Sequence, residues 1–141
     1  DRFQVQGKSS FVILHQNSAA AIDSLVLCKF TNMGVAEEYF ARLLTAVTGI
    51  PYATGDLIQV GERVWNLERL YNLREGFTSA HDTLPPRLLN EPVDSGPSQG
   101  WVSHLEPMLK EYYRTRGWDE QGVPKPQKLI ELGLPDFIEQ L

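Results

Sequence analysis

Three features of this chain predict an all-α fold. Apolar residues recur every three or four positions in several stretches. Glycine and proline stand just past those stretches, in the order that closes helices. No stretch alternates apolar and polar residues long enough for a sheet, and only Phe3 to Gln6 has that character at all. The 141 residues suit one domain, which at this size buries about two thirds of its unfolded surface. Residues 1–141 are therefore expected to form a single irregular multi-helix domain. Residues 1–10 read as a polar lead-in and 78–100 as a long loop.

Each element has its own signal. Phe11 to Phe30 is rich in apolar side chains, and the alanines Ala19, Ala20 and Ala21 favour helix. Asn17 and Ser18 are expected to divide it, with Ser18 as N-cap of the second piece. Asn32-Met33-Gly34 reads as a turn. From Val35 to Val47 the residues Val35, Tyr39, Phe40, Leu43, Leu44 and Val47 share one face, and Gly49 and Pro51 end the helix. The next helix has Thr54 or Asp56 as cap and Leu57, Val60, Val64, Leu67 and Tyr71 as its stripe, widened by Ile58, Trp65 and Leu73. Gly61 inside it costs about 1 kcal/mol relative to alanine. Either another backbone comes close there, or the helix is kinked. Gly76 closes it. The loop 78–100 holds Pro85, Pro86, Pro92 and Pro97 and shows no helical period. Ser103 to Arg116 resumes helix, with Leu105, Met108, Leu109, Tyr112 and Tyr113 as its apolar side and Gly117 as its stop. Pro126 to Leu132 makes a short helix before Gly133, and Pro135 to Leu141 one further turn.

Composition narrows the function. A net charge of -5 argues against nucleic acid as a partner, because phosphate binding needs a basic face. No apolar run reaches membrane-spanning length, and the start of the chain lacks the pattern of a signal peptide. One cysteine among 141 residues fits a reducing, cytoplasmic setting.

The chemistry concentrates in Asp23-Ser24-Leu25-Val26-Leu27-Cys28-Lys29-Phe30. Cys28 is the only cysteine, so it can neither form an internal disulfide nor fill a metal site alone. A lone cysteine in an apolar run reads first as a small buried hydrophobe. Asp23 counts against that, because an acid among such residues is hard to bury without partners. On one continuous helix five residues rotate a side chain by about 140°. If Asp23 and Cys28 serve one ligand, the backbone must turn between them or the ligand must touch two sides. His15, His81 and His104 are scattered, without a second ligand at helical spacing. Glu37-Glu38 and Glu68-Arg69 read as solvated helix faces. No phosphate loop, nucleophile elbow or zinc-type cysteine spacing is present, and no catalytic residue is assigned.

Four blocks, in this order, resemble the aldehyde:ferredoxin oxidoreductase family of tungstopterin iron–sulfur enzymes. They are Asp23 to Phe30; Gly61-Glu62-Arg63-Val64-Trp65-Asn66-Leu67-Glu68-Arg69 with Tyr71 to Phe77; Asp82-Thr83-Leu84-Pro85-Pro86-Arg87; and Tyr112-Tyr113-Arg114-Thr115-Arg116-Gly117-Trp118-Asp119 with Gly122-Val123-Pro124 and Lys128 to Leu134. The resemblance covers about Gly7 to Leu134. It implies the C-terminal helical part of an enzyme that oxidises aldehydes to carboxylic acids and passes electrons through a 4Fe-4S cluster to ferredoxin. The family's Asp-x-x-Gly-Leu-Cys pattern maps onto Asp23, Leu27 and Cys28. Asp23 and Leu27-Cys28 would then contact one pterin of a tungsten (or molybdenum) bis-pterin, and Cys28 would be the fourth cluster ligand. The other cluster cysteines would lie upstream, so the isolated chain is expected to be inactive and free of cofactor. Its partners would be the upstream domains, ferredoxin and, in one reading, a second copy of the chain. One position departs from the pattern. Val26 stands where the family has glycine, and a β-branched residue is poorly suited to a positive φ. Either the turn differs, or pterin binding is altered. Two other functions stay open at this point: a related tungsten subunit that reduces aromatic acyl thioesters, and a stand-alone helical interaction domain.

Overall fold

A computed structural model describes residue 1 and residues 3–140. Among the described residues six helices form: α1 Lys8–Ser24, α2 Glu37–Thr48, α3 Thr54–Arg74, α4 Pro86–Asn90, α5 Leu105–Arg116 and α6 Pro126–Glu131. Three 3₁₀ turns, Lys29–Met33, Ser79–His81 and Pro135–Gln140, link or extend them. Among the described residues there is no strand, only an isolated bridge between Trp118 and Pro124. Phe3–Gln6 joins no ladder; Phe3 instead stacks on Trp101 with ring centres 4.5 Å apart. Of the expected lead-in and tail, Arg2 and Leu141 lie outside the described residues.

The long helix α3 is the axis of the fold, and α1 packs along it more extensively than any other helix pair. Gly61 makes that approach possible. A methyl group there would stand 1.8 Å from the carbonyl oxygen of Asn17, so a second backbone does come close, as one of the two readings of this glycine required. Asp56 caps α3 by accepting the Ala53 N–H at 2.8 Å.

Helix α1 differs from expectation in two ways. It runs unbroken through Asn17 and Ser18, both buried. These residues disfavour a helix interior when they bond to their own backbone. Here distant partners take their side chains. Arg116 donates to Asn17 Oδ1 at 2.6 Å, and Ser18 donates to Glu37 at 2.6 Å. The helix also begins at Lys8, inside the expected lead-in. Its first turn is held by Glu111 on α5, whose carboxylate accepts the Gly7 N–H at 2.9 and 3.0 Å and the Ser9 hydroxyl at 2.7 Å.

Two small apolar cores flank the axis. Ala21, Ile22, Phe40 and Leu57 pack together, with Leu25 and Val35 against them. Leu70, Leu129, Leu132 and Leu134 form the second, with Leu67, Phe137 and Ile138 beside it. Only part of the α2 stripe is used, because Tyr39, Leu43 and Val47 stay exposed. Polar side chains are buried as well. Arg116 is 0% exposed. It donates to Asn17, Gln16 (2.7 Å) and the Tyr112 hydroxyl (3.0 Å), and burial lowers its pKa. Arg69, expected on a solvated face, is also buried. It forms a bidentate pair with Asp82 at 2.9 and 2.7 Å and donates to the Gly122 carbonyl at 2.8 Å. That pair ties the irregular segment 78–100 to α3. The segment is not wholly without helix: Pro86 presets the first turn of α4. Helix α5 starts at Leu105, two residues after the expected Ser103.

Candidate functional site

The segment from Asp23 to Cys28 is a helix terminus of defined type. Helix α1 ends at Ser24, and Leu25 is its C-cap. Val26 follows with φ 58, in the left-handed region. Its N–H bonds to the Asp23 carbonyl at 3.0 Å, and the Leu27 N–H reaches back to the Ile22 carbonyl at 3.4 Å. These two bonds, five-to-two and six-to-one, are the Schellman arrangement that glycine normally closes. Cys28 then adopts an extended conformation, φ -64 and ψ 124, and opens the Lys29–Met33 turn. Its carbonyl accepts the Thr31 N–H at 3.0 Å and the Thr31 hydroxyl at 2.6 Å.

The backbone thus does turn between Asp23 and Cys28. Val26 takes the left-handed conformation that glycine adopts freely, although it is β-branched. All three sequence-derived site residues lie at the surface. Asp23 pairs with Lys29, the neighbour of Cys28, at 3.3 Å. Leu27 is exposed. Cys28 has an exposed thiol, which overturns the plainer expectation of a small buried hydrophobe.

Local physics opposes several of these choices. A carboxylate in the last turn of a helix faces the negative end of the helix dipole, and only an exposed lysine offsets Asp23. A non-glycine residue in the left-handed region costs roughly 1–2 kcal/mol. Val26 is 92% exposed, so packing within this chain does not recover that cost. Phe30 and Met33 beside it are 77% and 85% exposed. Such local conflicts gather where a chain serves something other than its own stability.

The turn suits a single metal ligand. Among the described residues no three His, Cys, Asp or Glu side chains are grouped to hold a metal ion. His15, His81 and His104 are all exposed. The donor chemistry is one accessible thiol with one accessible carboxylate nearby. A thiolate suits iron, and a carboxylate held only by a surface ion pair is available to N–H donors of a heterocycle.

A second concave region lies between α1, α3, α5 and the segment 79–84. It is a cavity of about 710 Å³ walled by Val12, Trp65, Leu84, Met108 and Tyr112, with Arg69, Asp82 and Tyr113 among its polar lining. The Tyr113 hydroxyl donates a short hydrogen bond to Asp82. Burial first, and then that carboxylate, push the Tyr113 pKa well above the ordinary tyrosine range. Trp65 donates to Tyr112 at 2.8 Å and Trp118 to Asn66 at 2.8 Å. Among the described residues no buried side-chain polar atom lacks a partner. The network is framework. The sequence reading missed it, although Gly61, Trp65 and Arg69 stand four residues apart on one face of α3, the face that the glycine already marked as crowded.

The chain is 46% identical over 132 residues to the tungsten-containing aldehyde ferredoxin oxidoreductase of Pyrococcus abyssi, a match covering 93% of this chain and 22% of that protein. The Thermococcus kodakarensis protein of the same name is 42% identical, again over 93% of this chain and 22% of its own length. The aliphatic sulfonate oxidoreductase, WOR-like subunit, of Pyrococcus furiosus is 33% identical over 125 residues, covering 82% of this chain and 20% of that protein. The chain therefore spans about a fifth of the length of the relatives it matches. Among solved structures, the active site complex BamBC of benzoyl coenzyme A reductase, in complex with 1,5-dienoyl-CoA, superposes with a TM-score of 0.77 at 19% identity. That match covers 98% of this chain and 21% of the other, and it carries the fold alone. No described helix is long and apolar enough to cross a membrane. Residues 1–134 match the family described as aldehyde ferredoxin oxidoreductase, domains 2 & 3, and the chain belongs to it.

Proposed function

We propose that this chain is the C-terminal helical part of a tungsten-dependent oxidoreductase that converts aldehydes to carboxylic acids, with ferredoxin as electron acceptor. The observation that carries this reading is the exposed Cys28 thiol at the end of a left-handed helix terminus. Cys28 would supply one thiolate to a 4Fe-4S cluster whose other ligands lie elsewhere in the polypeptide. Asp23 would accept hydrogen bonds from one pterin of a tungsten bis-pterin, and Leu27 would pack beside it. When bound, these groups supply the redox chemistry; this chain orients them and limits their contact with water. The donor set fits that role, with one soft thiol for iron and one charged acceptor for a polar heterocycle.

The rest of the polypeptide would cover the exposed apolar side chains Phe30, Met33, Leu43 and Val47. An accessible thiolate ligand also favours a reducing cytoplasm. Aldehyde oxidation is favoured over thioester reduction by the names of the relatives at 42% and 46% identity. The experiment is Cys28→Ser in the full-length enzyme, with iron content, the reduced-cluster EPR spectrum and turnover with ferredoxin as readouts. The expected variant is folded, short of iron and unable to deliver electrons. Full iron, an unchanged spectrum and wild-type turnover would return Cys28 to the status of an ordinary surface thiol.

A further inference from the structure

We propose that the ring cluster Trp65, Tyr112, Trp118 and Tyr113 has an activity of its own: it draws a one-electron oxidation away from the cavity wall and holds it on Tyr113 as a phenoxyl radical, with Asp82 taking the proton. This activity is independent of the reading of Cys28. The rings are near enough to pass an electron from one to the next. Tyr112 and Trp118 have ring centres 5.8 Å apart, Trp118 and Tyr113 6.0 Å, and Tyr112 and Tyr113 6.3 Å, all separations of rings in contact. Trp65 joins them through its indole N–H, which donates to the Tyr112 hydroxyl at 2.8 Å. Trp65 and Tyr112 are half-buried in the wall of the cavity between α1, α3 and α5, whereas Trp118 and Tyr113 are 4% and 5% exposed. A small oxidant in the cavity therefore meets the outer pair first.

The bonds that make this network a framework also decide where the missing electron settles. An oxidised phenol or indole is a strong acid, so the vacancy comes to rest where a base stands at the O–H or N–H bond. Trp65 donates to a hydroxyl, Tyr112 to Gln16 Oε1 at 2.7 Å and Trp118 to Asn66 Oδ1 at 2.8 Å; these neutral oxygens accept a hydrogen bond but do not keep a proton. The Tyr113 hydroxyl donates to a carboxylate, that of Asp82. Charge points the same way. Arg116 lies 5.5 and 5.4 Å over the rings of Trp65 and Tyr112, and its hydrogen bonds among the described residues go to neutral acceptors. A cation radical on either ring is therefore repelled. Beside Tyr113 the guanidinium of Arg69 is balanced by Asp82. Burial and then Asp82 push the Tyr113 pKa well above the ordinary tyrosine range, so its proton leaves together with an electron and not before. In the balanced step a diffusible one-electron oxidant, such as a peroxyl radical, takes an electron from Trp65 or Tyr112. Tyr113 then refills that ring through Trp118 or directly, and its O–H bond breaks as a new O–H bond forms on Asp82. A one-electron reductant in solution, such as ascorbate, returns the electron, and Asp82 returns the proton.

The test uses the full-length enzyme, with photogenerated tris(bipyridine)ruthenium(III) as the oxidant. Frozen directly after illumination, the natural protein is expected to show a tyrosyl EPR signal that Tyr113→Phe loses. Tyr113→Phe leaves the Arg69–Asp82 pair in place, so its fold is expected to survive. In aerated buffer, peptide mass spectrometry should then find several-fold more oxidation products at Trp118 in Tyr113→Phe, because the vacancy has no tyrosine beside a carboxylate on which to settle. Tyr112→Phe removes a hydroxyl from the same cluster but not the one on Asp82. It should keep the tyrosyl signal and leave Trp118 at the natural level. Trp101, which stacks on Phe3, should be oxidised equally in all three proteins. A natural protein without the tyrosyl signal, or a Tyr113→Phe protein that retains it, overturns the relay. So does a Tyr112→Phe protein with as much oxidised Trp118 as Tyr113→Phe, since loosened packing and not electron transfer would then be at work. None of these readouts involves Cys28, so this activity and the cluster reading can fail separately.

Discussion

Replacing Gly61 by alanine should destabilise this protein, although alanine is the better helix former. The added methyl would stand 1.8, 2.6 and 2.9 Å from the oxygen, carbon and Cα of Asn17, well short of the 3.4 Å at which ordinary contact begins. All three atoms belong to α1, so no rotamer change relieves the clash. Helices α1 and α3 must separate. Overpacking of this kind costs about 1–3 kcal/mol. Separation also moves Asn17 away from Arg116, at present 2.6 Å apart, and a buried hydrogen bond to a charged donor is worth about 1.5–3 kcal/mol. Alanine returns about 1 kcal/mol of helix propensity. The net loss is about 3 kcal/mol, which at this chain length lowers Tm by about 10 °C. Urea unfolding and thermal scans of the 141-residue chain measure both. Gly55→Ala in the same helix is the control, because nothing lies within 4 Å of its position; it should be neutral or stabilising by up to about 1 kcal/mol. A Gly61→Ala protein as stable as the natural one would mean that α1 and α3 do not approach as described.

Two further outcomes are expected. Arg116→Lys should cost about 2–4 kcal/mol in urea unfolding, because a lysine cannot span the three acceptors Asn17, Gln16 and Tyr112 with one ammonium group; a shift in midpoint within error would contradict the assigned network. Acid should destabilise the fold through Glu111 and Glu37. The Ser9 hydroxyl and then the Gly7 N–H hold Glu111 below the ordinary 4.5, and the Ser18 hydroxyl does the same for Glu37. Lowered folded values mean that this contribution is fully present above pH 4.5 and is lost as the pH falls through them. Glu111→Gln should flatten the decline in Tm below pH 4.5, and a decline as steep as that of the natural protein would rule out the assigned role.

Much of this fold can be read locally, and the remainder could not have been. Helices α2, α3, α5 and α6 follow from apolar spacing and from Gly49, Gly76, Gly117 and Gly133, because caps and stripes are properties of neighbouring residues. Asn17 and Ser18 misled, because their helix-breaking tendency is cancelled by Arg116 and Glu37, which no window around α1 contains. Glu68 and Arg69 look alike in sequence. Only Arg69 shares the Gly61 face, and only there does it meet Asp82 and Trp118. The start of α1 was hidden for the same reason, since its cap is a carboxylate on another helix. At the candidate site the residues Asp23, Leu27 and Cys28 were legible as a motif. Their exposure was legible only as a consequence of being part of something larger. That Val26 would adopt a glycine's backbone could not be read from propensity, which argues the other way.

The bonds that complete α1 span unusual distances along the chain. Gly7 and Glu111 are 104 residues apart, and Asn17 and Arg116 are 99. Helical proteins generally owe fast folding to contacts between near neighbours in sequence. Here the two halves of one helix draw on partners at very different distances along the chain. The C-terminal half packs on Phe40 and Leu57, which are close at hand. The N-terminal half depends on Glu111 and Arg116. We expect a nascent chain stalled before residue 116 to hold the Cys28 turn on a helix whose opposite end is still unsecured.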